Sequence, residues 1–459
     1  MRAEDPNGEF AGLLLDERIE EILEWFRSTY LREDGFPHYD VDGETGKPLS
    51  PRSLLSELGD YVPFIAASGD AAYVRNQVQL LQKQLESRPS LFDAPQARVH
   101  AGVRLSLPFN IRPAHTDSLD YTEILYGLLE LHQLWQDYSL IELADRVLQQ
   151  VSALFARNGF IATWCLLRPR WALPVCESMN GMYIEIFADF FRATRDRQYL
   201  ESARELADHW VSLPNFREKG FFPSVHLLSK SMTWIPRFRR IAARAELVKY
   251  NSCMASGLMA LFREDPGGPW ADHLRHWASG IVQHFQFQPG VFYHLSDDTP
   301  LLPQFPERPV LSTNFAIIEI FADLFHALGD QQYFELALAG ADFWLEQQSA
   351  RTGLFPDAVG GDTSYLDGNT DLIMALMRMF ELTGEDKYMH SSLRALKGIL
   401  KYHRAPCGYM RDVGLETGKP LCPNVETRFV SLLLKPLLLF QRGWRIYGQE
   451  NMSDILRDR

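Results

Sequence analysis

Residues 184–210 and 318–344 agree at 16 of 27 positions without a gap. Self-similarity of this kind restricts the chain to a repeat architecture. Each copy reads as a helix, a short turn ending in Asp-x-x-Tyr, and a second helix. The turn recurs as Gly69-Asp70-x-x-Tyr73, Asp196-x-x-Tyr199, Gly329-Asp330-x-x-Tyr333 and Gly384-Glu385-x-x-Tyr388. Glycine ends one helix, the acid caps the next, and the tyrosine packs in its first turn. A second marker follows the second helix: Gly35-Phe36, Gly159-Phe160, Gly220-Phe221, Gly353-Leu354-Phe355 and Gly408-Tyr409. These glycines recur at intervals of about 55–70 residues, which leaves room for a sizeable loop in each repeat.

The two helix types differ in polarity. The first is apolar nearly all round, as in 184–191 and 371–380, and such a helix is buried on most sides. The second is amphipathic, as in 199–210. The first set therefore forms an inner ring and the second an outer ring. Outer helices are expected near 16–30, 73–86, 139–157, 198–212, 270–286, 331–347 and 386–403. Inner helices are expected near 51–68, 118–136, 178–194, 249–263, 312–328, 368–383 and 424–441. The fold class is all-α: one (α/α) toroid of about seven hairpins, six or seven, spanning 1–459 as a single domain. A toroid closes by packing its last pair on its first. The near-repeat of Gly43–Leu49 as Leu415–Leu421 puts similar loops at both ends of the chain, as a seam requires.

This pattern resembles the (α/α) toroid enzymes: the helical-hairpin glycosidases, the unsaturated glucuronyl hydrolases, the N-acylglucosamine 2-epimerase-like isomerases and the lanthionine synthetase C-like proteins. The resemblance spans nearly the whole chain and is architectural. It implies a carbohydrate-active enzyme, most simply a glycoside hydrolase, with a sugar epimerase or a non-catalytic glycan- or peptide-binding toroid as alternatives. The Cys-His pair that marks the zinc site of the lanthionine cyclases is missing.

Composition narrows the partners. A net charge of −13 argues against nucleic acid, which needs a basic footprint. No apolar run reaches membrane-spanning length, and the first residues lack a signal-peptide pattern, so a cytoplasmic location is expected. The five cysteines (Cys165, Cys176, Cys253, Cys407, Cys422) lack metal-site spacing, and neither metal nor cofactor is expected. The expected partner is a small-molecule substrate, an oligosaccharide or uronic acid.

All the long loops run from an outer helix to the next inner helix, so they gather on one face. The inner-helix N-termini point there with unpaired N–H groups. Glycosidic cleavage needs two carboxyl groups, and Asp120, Glu177, Asp371 and Glu426 form the pool expected to contain them. Asn180, Asn251, Asn314 and Asn369 recur near inner-helix starts, either as caps or as hydrogen-bonding groups for sugar hydroxyls. Trp164, Trp171 and Tyr365 are candidate stacking surfaces. Arg170 and Arg428 are candidates for a charged substrate group. His115, with His226, would serve an epimerase. Glu185 and Glu319 repeat within the two matching helices, which suggests that each bonds a neighbouring repeat.

Overall fold

The computed structural model describes residues 13–87, 91, 115–167, 170–229, 242, 244–297 and 308–442. Within them the helices alternate between two rings. The outer ring holds α1 (Leu15–Glu24, prolonged by a π turn to Thr29), α3 (Ala71–Ser87), α5 (Tyr138–Phe155), α7 (Arg197–Val211), α10 (Trp270–Phe285), α12 (Gln331–Glu346) and α14 (Asp386–Gly398). The inner ring holds α2 (Val62–Ala67, preceded by a 3-10 turn Leu54–Asp60), α4 (Leu119–Trp135), α6 (Asn180–Thr194), α9 (Ser252–Glu264), α11 (Leu311–Leu328), α13 (Leu366–Thr383) and the broken pair α15 (Thr427–Leu432) and α16 (Leu434–Arg442). A short helix, α8 (Pro214–Lys219), follows α7.

Each inner helix packs on the next in chain order, and α15 and α16 return to the segment 54–67, so the ring closes with seven inner walls among the described residues. The last inner helix has no outer partner after it in sequence. Its partner is α1, which packs on α16. The seam is also stitched by antiparallel pairing of Asp40–Asp42 with Asn424–Glu426. The two seam loops fold alike. Gly46 N–H donates to Asp42 O and Leu49 N–H to Asp40 O, while Gly418 N–H donates to Gly414 O and Leu421 N–H to Asp412 O.

The turn grammar is visible in the geometry. Gly69, Gly329 and Gly384 all have positive φ, and non-glycine residues Gln136 and Arg195 take the same role in two repeats. Asp196 and Asp137 accept cap bonds from Gln198 N–H and Ser139 N–H. Asp330 and Glu385 sit at cap positions without a side-chain cap bond. The tyrosine of the motif locks the hairpin: Tyr199 stacks on Phe190 at 4.8 Å and donates to Asp145, and Tyr388 donates to Asp342.

Four asparagines at inner-helix starts do a job that neither expectation covered. Asn180 takes the N–H and C=O of Ile161, Asn251 those of Phe222, Asn314 those of Phe292, and Asn369 those of Phe355. Each amide thereby completes a two-bond clamp on the residue two positions after a glycine (Gly159, Gly220, Gly290 and Gly353), fixing the segment that follows the outer helix. All four side chains are buried. Both ends of each amide are spent, so Asn180, Asn251, Asn314 and Asn369 bind no substrate and cap no helix.

α6 and α9 approach each other closely at two glycines. A Cβ on Gly181 would lie 2.2 Å from the Cys253 carbonyl oxygen, and one on Gly257 would lie 2.3 Å from the Gly181 carbonyl oxygen. Backbone cannot yield as a flexible side chain can. Gly181→Ala should therefore lower stability by about 1–3 kcal/mol or more, read as a fall in the urea midpoint.

Candidate active site

The loop face carries a run of extended segments joined edge to edge. Ser118 N–H donates to Thr163 O and Thr163 N–H to Val175 O. Glu177 pairs with Val225. Ser224 N–H donates to Arg244 O, and Ser296 N–H to Ala245 O. Asp117, Glu177 and Glu246 therefore stand on alternate members of one ribbon. Neighbouring strands lie about 4.8 Å apart, so alternate backbones are about 10 Å apart.

These three acids, with Asp120 in the first turn of α4, are all buried. Burial pushes the Asp117 carboxyl well above its usual range, and the charges of Asp120 and Glu177 push it further; Trp164 Nε1–H, donating at 3.1 Å, partly offsets this. Burial, then the charge of Glu246, raises Glu177 to about 8. Neither carboxyl oxygen of Glu177 has a hydrogen-bond partner among the described residues. Glu246 is in contrast well compensated. Arg244 Nη2 lies 2.8 Å from one oxygen and His294 Nε2 3.2 Å from the other, and Thr313 Oγ1 holds the far side of the imidazole at 3.1 Å. Tyr250 closes the cluster, its hydroxyl pushed up by burial and then by Glu177 and Glu246.

The expected pool is thus split. Asp120 and Glu177 share one cluster. Asp371 stands on α13, 3.9 Å from Lys435, and burial raises its carboxyl to about 6. Glu426 lies at the seam, where it accepts from Tyr39 at 3.3 Å and pairs with Arg411 at 3.1 Å.

The expected binding groups divide as well. Trp171 and Tyr365 are exposed and remain available for stacking. Trp164 is buried and supports Asp117, so it offers no face to a ligand. Arg428 pairs with Asp60 at 2.6 Å and Glu57 at 3.5 Å, so its charge is consumed within the protein. His226 is wedged against Phe160 and Trp210 at 5.2 and 6.2 Å. His115 and Arg170 lie on strands of the ribbon, and their side chains fall outside the described residues. Sequence reasoning missed Glu246 and His294; only the ribbon brings them to Glu177.

Below the mouth, the inner helices enclose a cavity of about 470 Å³. Its walls are rich in carboxylates, among them Glu130, Glu185, Asp189, Glu319 and Asp323, and Lys435 is the cation among its described lining residues. Glu185 accepts from Tyr126 of the preceding repeat at 2.9 Å, as its repetition suggested. Glu319 does not; it faces the lumen. Burial raises Glu130 and Glu319 to about 8 and Asp189 to about 7. A carboxyl with a raised folded pKa binds a proton in the folded state that the unfolded chain has released, so its contribution is lost as pH rises from about 4.3 through 8. The melting temperature should fall across pH 5 to 8.5, and Glu130→Gln with Glu319→Gln should flatten that fall. Calorimetry over this range checks it.

No family model matches the sequence, and no curated protein does. Solved structures do match in shape. An α-1,2-mannosidase from Trichoderma reesei aligns with a TM-score of 0.67 at 14% identity, over 97% of this chain and 96% of that one. A D-mannose isomerase aligns with a TM-score of 0.60 at 9% identity, over 95% and 99%. A cellobiose 2-epimerase from Bacillus thermoamylovorans B4167 aligns with a TM-score of 0.54 at 11% identity, over 79% and 100%. The fold is an (α/α) toroid. At these identities the likeness fixes the fold of the toroid and leaves its chemistry to the residues at its mouth.

Proposed function

We propose that this toroid is a carbohydrate-active enzyme that hydrolyses glycosidic bonds, with Glu177 as the general acid and Glu246 as the partner carboxylate. The observation that carries this reading is the contrast between the two groups. Glu177 is buried, raised to about 8 and without a partner among the described residues, so it holds a proton to donate at neutral pH. Glu246 carries a charge matched by Arg244. A carboxyl raised by burial beside one paired with an arginine can take the acid and base roles. Asp117 and Asp120 stand in the same cluster, and a transition state with positive character at the sugar ring would favour their charged forms. The neighbours' names, a mannosidase, an isomerase and an epimerase, agree with a sugar substrate.

The His294–Glu246 pair supports a second reading, a sugar epimerase or isomerase in which His294 and Glu177 exchange protons at one carbon. A purely binding toroid is less well supported, because Glu177, Glu130 and Glu319 form no ion pair with arginine among the described residues. Incubation with a panel of neutral oligosaccharides followed by mass spectrometry separates the readings. Hydrolysis yields two sugars whose masses sum to substrate plus water. A product of unchanged mass and altered stereochemistry would replace the hydrolase by the epimerase.

A further inference from the structure

We propose that Lys249 is a sugar-binding residue, kept in a strained turn at the mouth so that its ammonium donates to an oxygen of a neutral sugar held over the lumen; this rests on the reading of the mouth as a carbohydrate site. Val248 (φ −72°, ψ 146°) and Lys249 (φ 68°, ψ −27°) are the central residues of a type II turn just before α9. Such a turn needs positive φ at its second central residue, a place for glycine or asparagine. Glycine takes that conformation without strain, whereas the Cβ of lysine crowds the following carbonyl. Strain of this kind gathers at binding and catalytic sites, where the side chain is worth its cost.

The repeats supply an internal comparison. Lys249 stands two residues before the clamp asparagine Asn251, and the matching positions in the other three clamped repeats are Ser178, Ser312 and Asp367. None of those three has positive φ. The clamp and the helix start therefore form without the strain, which belongs to this repeat alone of the four. The turn sends neighbouring side chains to opposite sides. Tyr250 is buried beside Glu177 and Glu246, and Lys249 is exposed. The Lys249 charge is felt at Cys253, which lines the lumen, and at Asp367, in the first turn of α13. The ammonium thus stands over the opening between α9 and α13. Glu177 owes its shift to burial and Glu246, so the part left to Lys249 is binding. The charges of the mouth are matched: Arg244 pairs with Glu246 at 2.8 Å, Lys249 has Asp367 within electrostatic reach, and burial favours the neutral forms of Asp117 and Glu177. A neutral sugar suits such a mouth, and an ammonium offers its oxygens three donors.

Isothermal titration of the full chain with maltose, cellobiose and lactose, and with glucuronate as the anionic probe, tests this alongside thermal melting. Lys249→Met keeps the apolar stem and the strained turn but loses the ammonium. It should weaken the tightest neutral sugar by about tenfold or more, the share of one charge-assisted hydrogen bond, with the melting temperature unchanged. Lys249→Gly should weaken the sugar as much while the melting temperature holds or rises, because the turn is relieved. Lys249→Arg, which keeps the charge, should retain part of the affinity. Undiminished affinity in Lys249→Met overturns the proposal, as does glucuronate binding more tightly than every neutral sugar, or no binding of any of these sugars to the parent protein. A lowered melting temperature in both Lys249→Met and Lys249→Gly, with affinity per folded molecule preserved, would make the lysine a structural tie to Asp367 and also overturn it. The two readings fail separately: affinity lost in Lys249→Met by a protein that cleaves no glycoside removes only the hydrolase, and hydrolysis with the same KM in Lys249→Met removes only the binding role of the lysine.

Discussion

Glu177→Gln lowers the turnover of a hydrolysed glycoside by about two to four orders of magnitude, the usual share of a general acid, with the circular dichroism spectrum and melting temperature retained. The amide fills the same space but has no acidic proton. In the parent protein the acid must be protonated to work, so activity should fall as pH rises through about 8, and that limb should disappear from the residual activity of the variant. Glu246→Gln should lower turnover comparably, through loss of the partner charge. Glu426→Gln should cost far less, because Glu426 is bound to Arg411 and Tyr39 at the seam. Steady-state kinetics from pH 5 to 9 on the three variants checks all of this.

Asn314→Ala should produce a large loss of stability for a single polar side chain. The amide accepts from Phe292 N–H at 2.8 Å and donates to Phe292 O at 3.0 Å and Val310 O at 2.8 Å. Truncation strands these backbone groups in a buried place, at about 1–3 kcal/mol for each group left without a partner. A loss of about 3–5 kcal/mol follows, visible as a marked fall in the urea midpoint, while turnover per folded molecule is preserved. Asn314→Asp should be intermediate, since it keeps the acceptor and loses both donors. A drop in sugar affinity without a drop in stability would return the asparagines to the binding role expected of them.

The rings were legible because their periodicity is local. The apolar run 184–191 and the amphipathic run 199–210 each declare their burial within a few turns, and the expected spans 198–212 and 331–347 fall within two residues of α7 and α12. The asparagines were visible as a repeated position but not as a clamp. Their partners lie 14 to 29 residues upstream, on a hairpin whose return path depends on packing. The charge environment of the acids was not legible at all. Glu177 and Glu246 are far apart in sequence and meet only through Ser224, which joins 175–178 to 244–247. Arg428 looked like a ligand for anions because a lone arginine beside acids reads the same whether or not Asp60 reaches it. The seam partnership of α1 with α16 joins the two ends of the described chain, which no local pattern encodes.

The proposed chemistry depends on a proton held by a buried carboxyl at the mouth of the toroid. Carbon-13 magnetic resonance of protein labelled at glutamate side-chain carboxyls, with the Glu177 signal assigned by its absence in Glu177→Gln, follows that proton directly. A titration midpoint near 8, shifted when Glu246 is replaced by glutamine, is the result predicted. A midpoint between 4 and 5, insensitive to Glu246, would show an exposed, ionised carboxylate and remove the acid from the proposed chemistry.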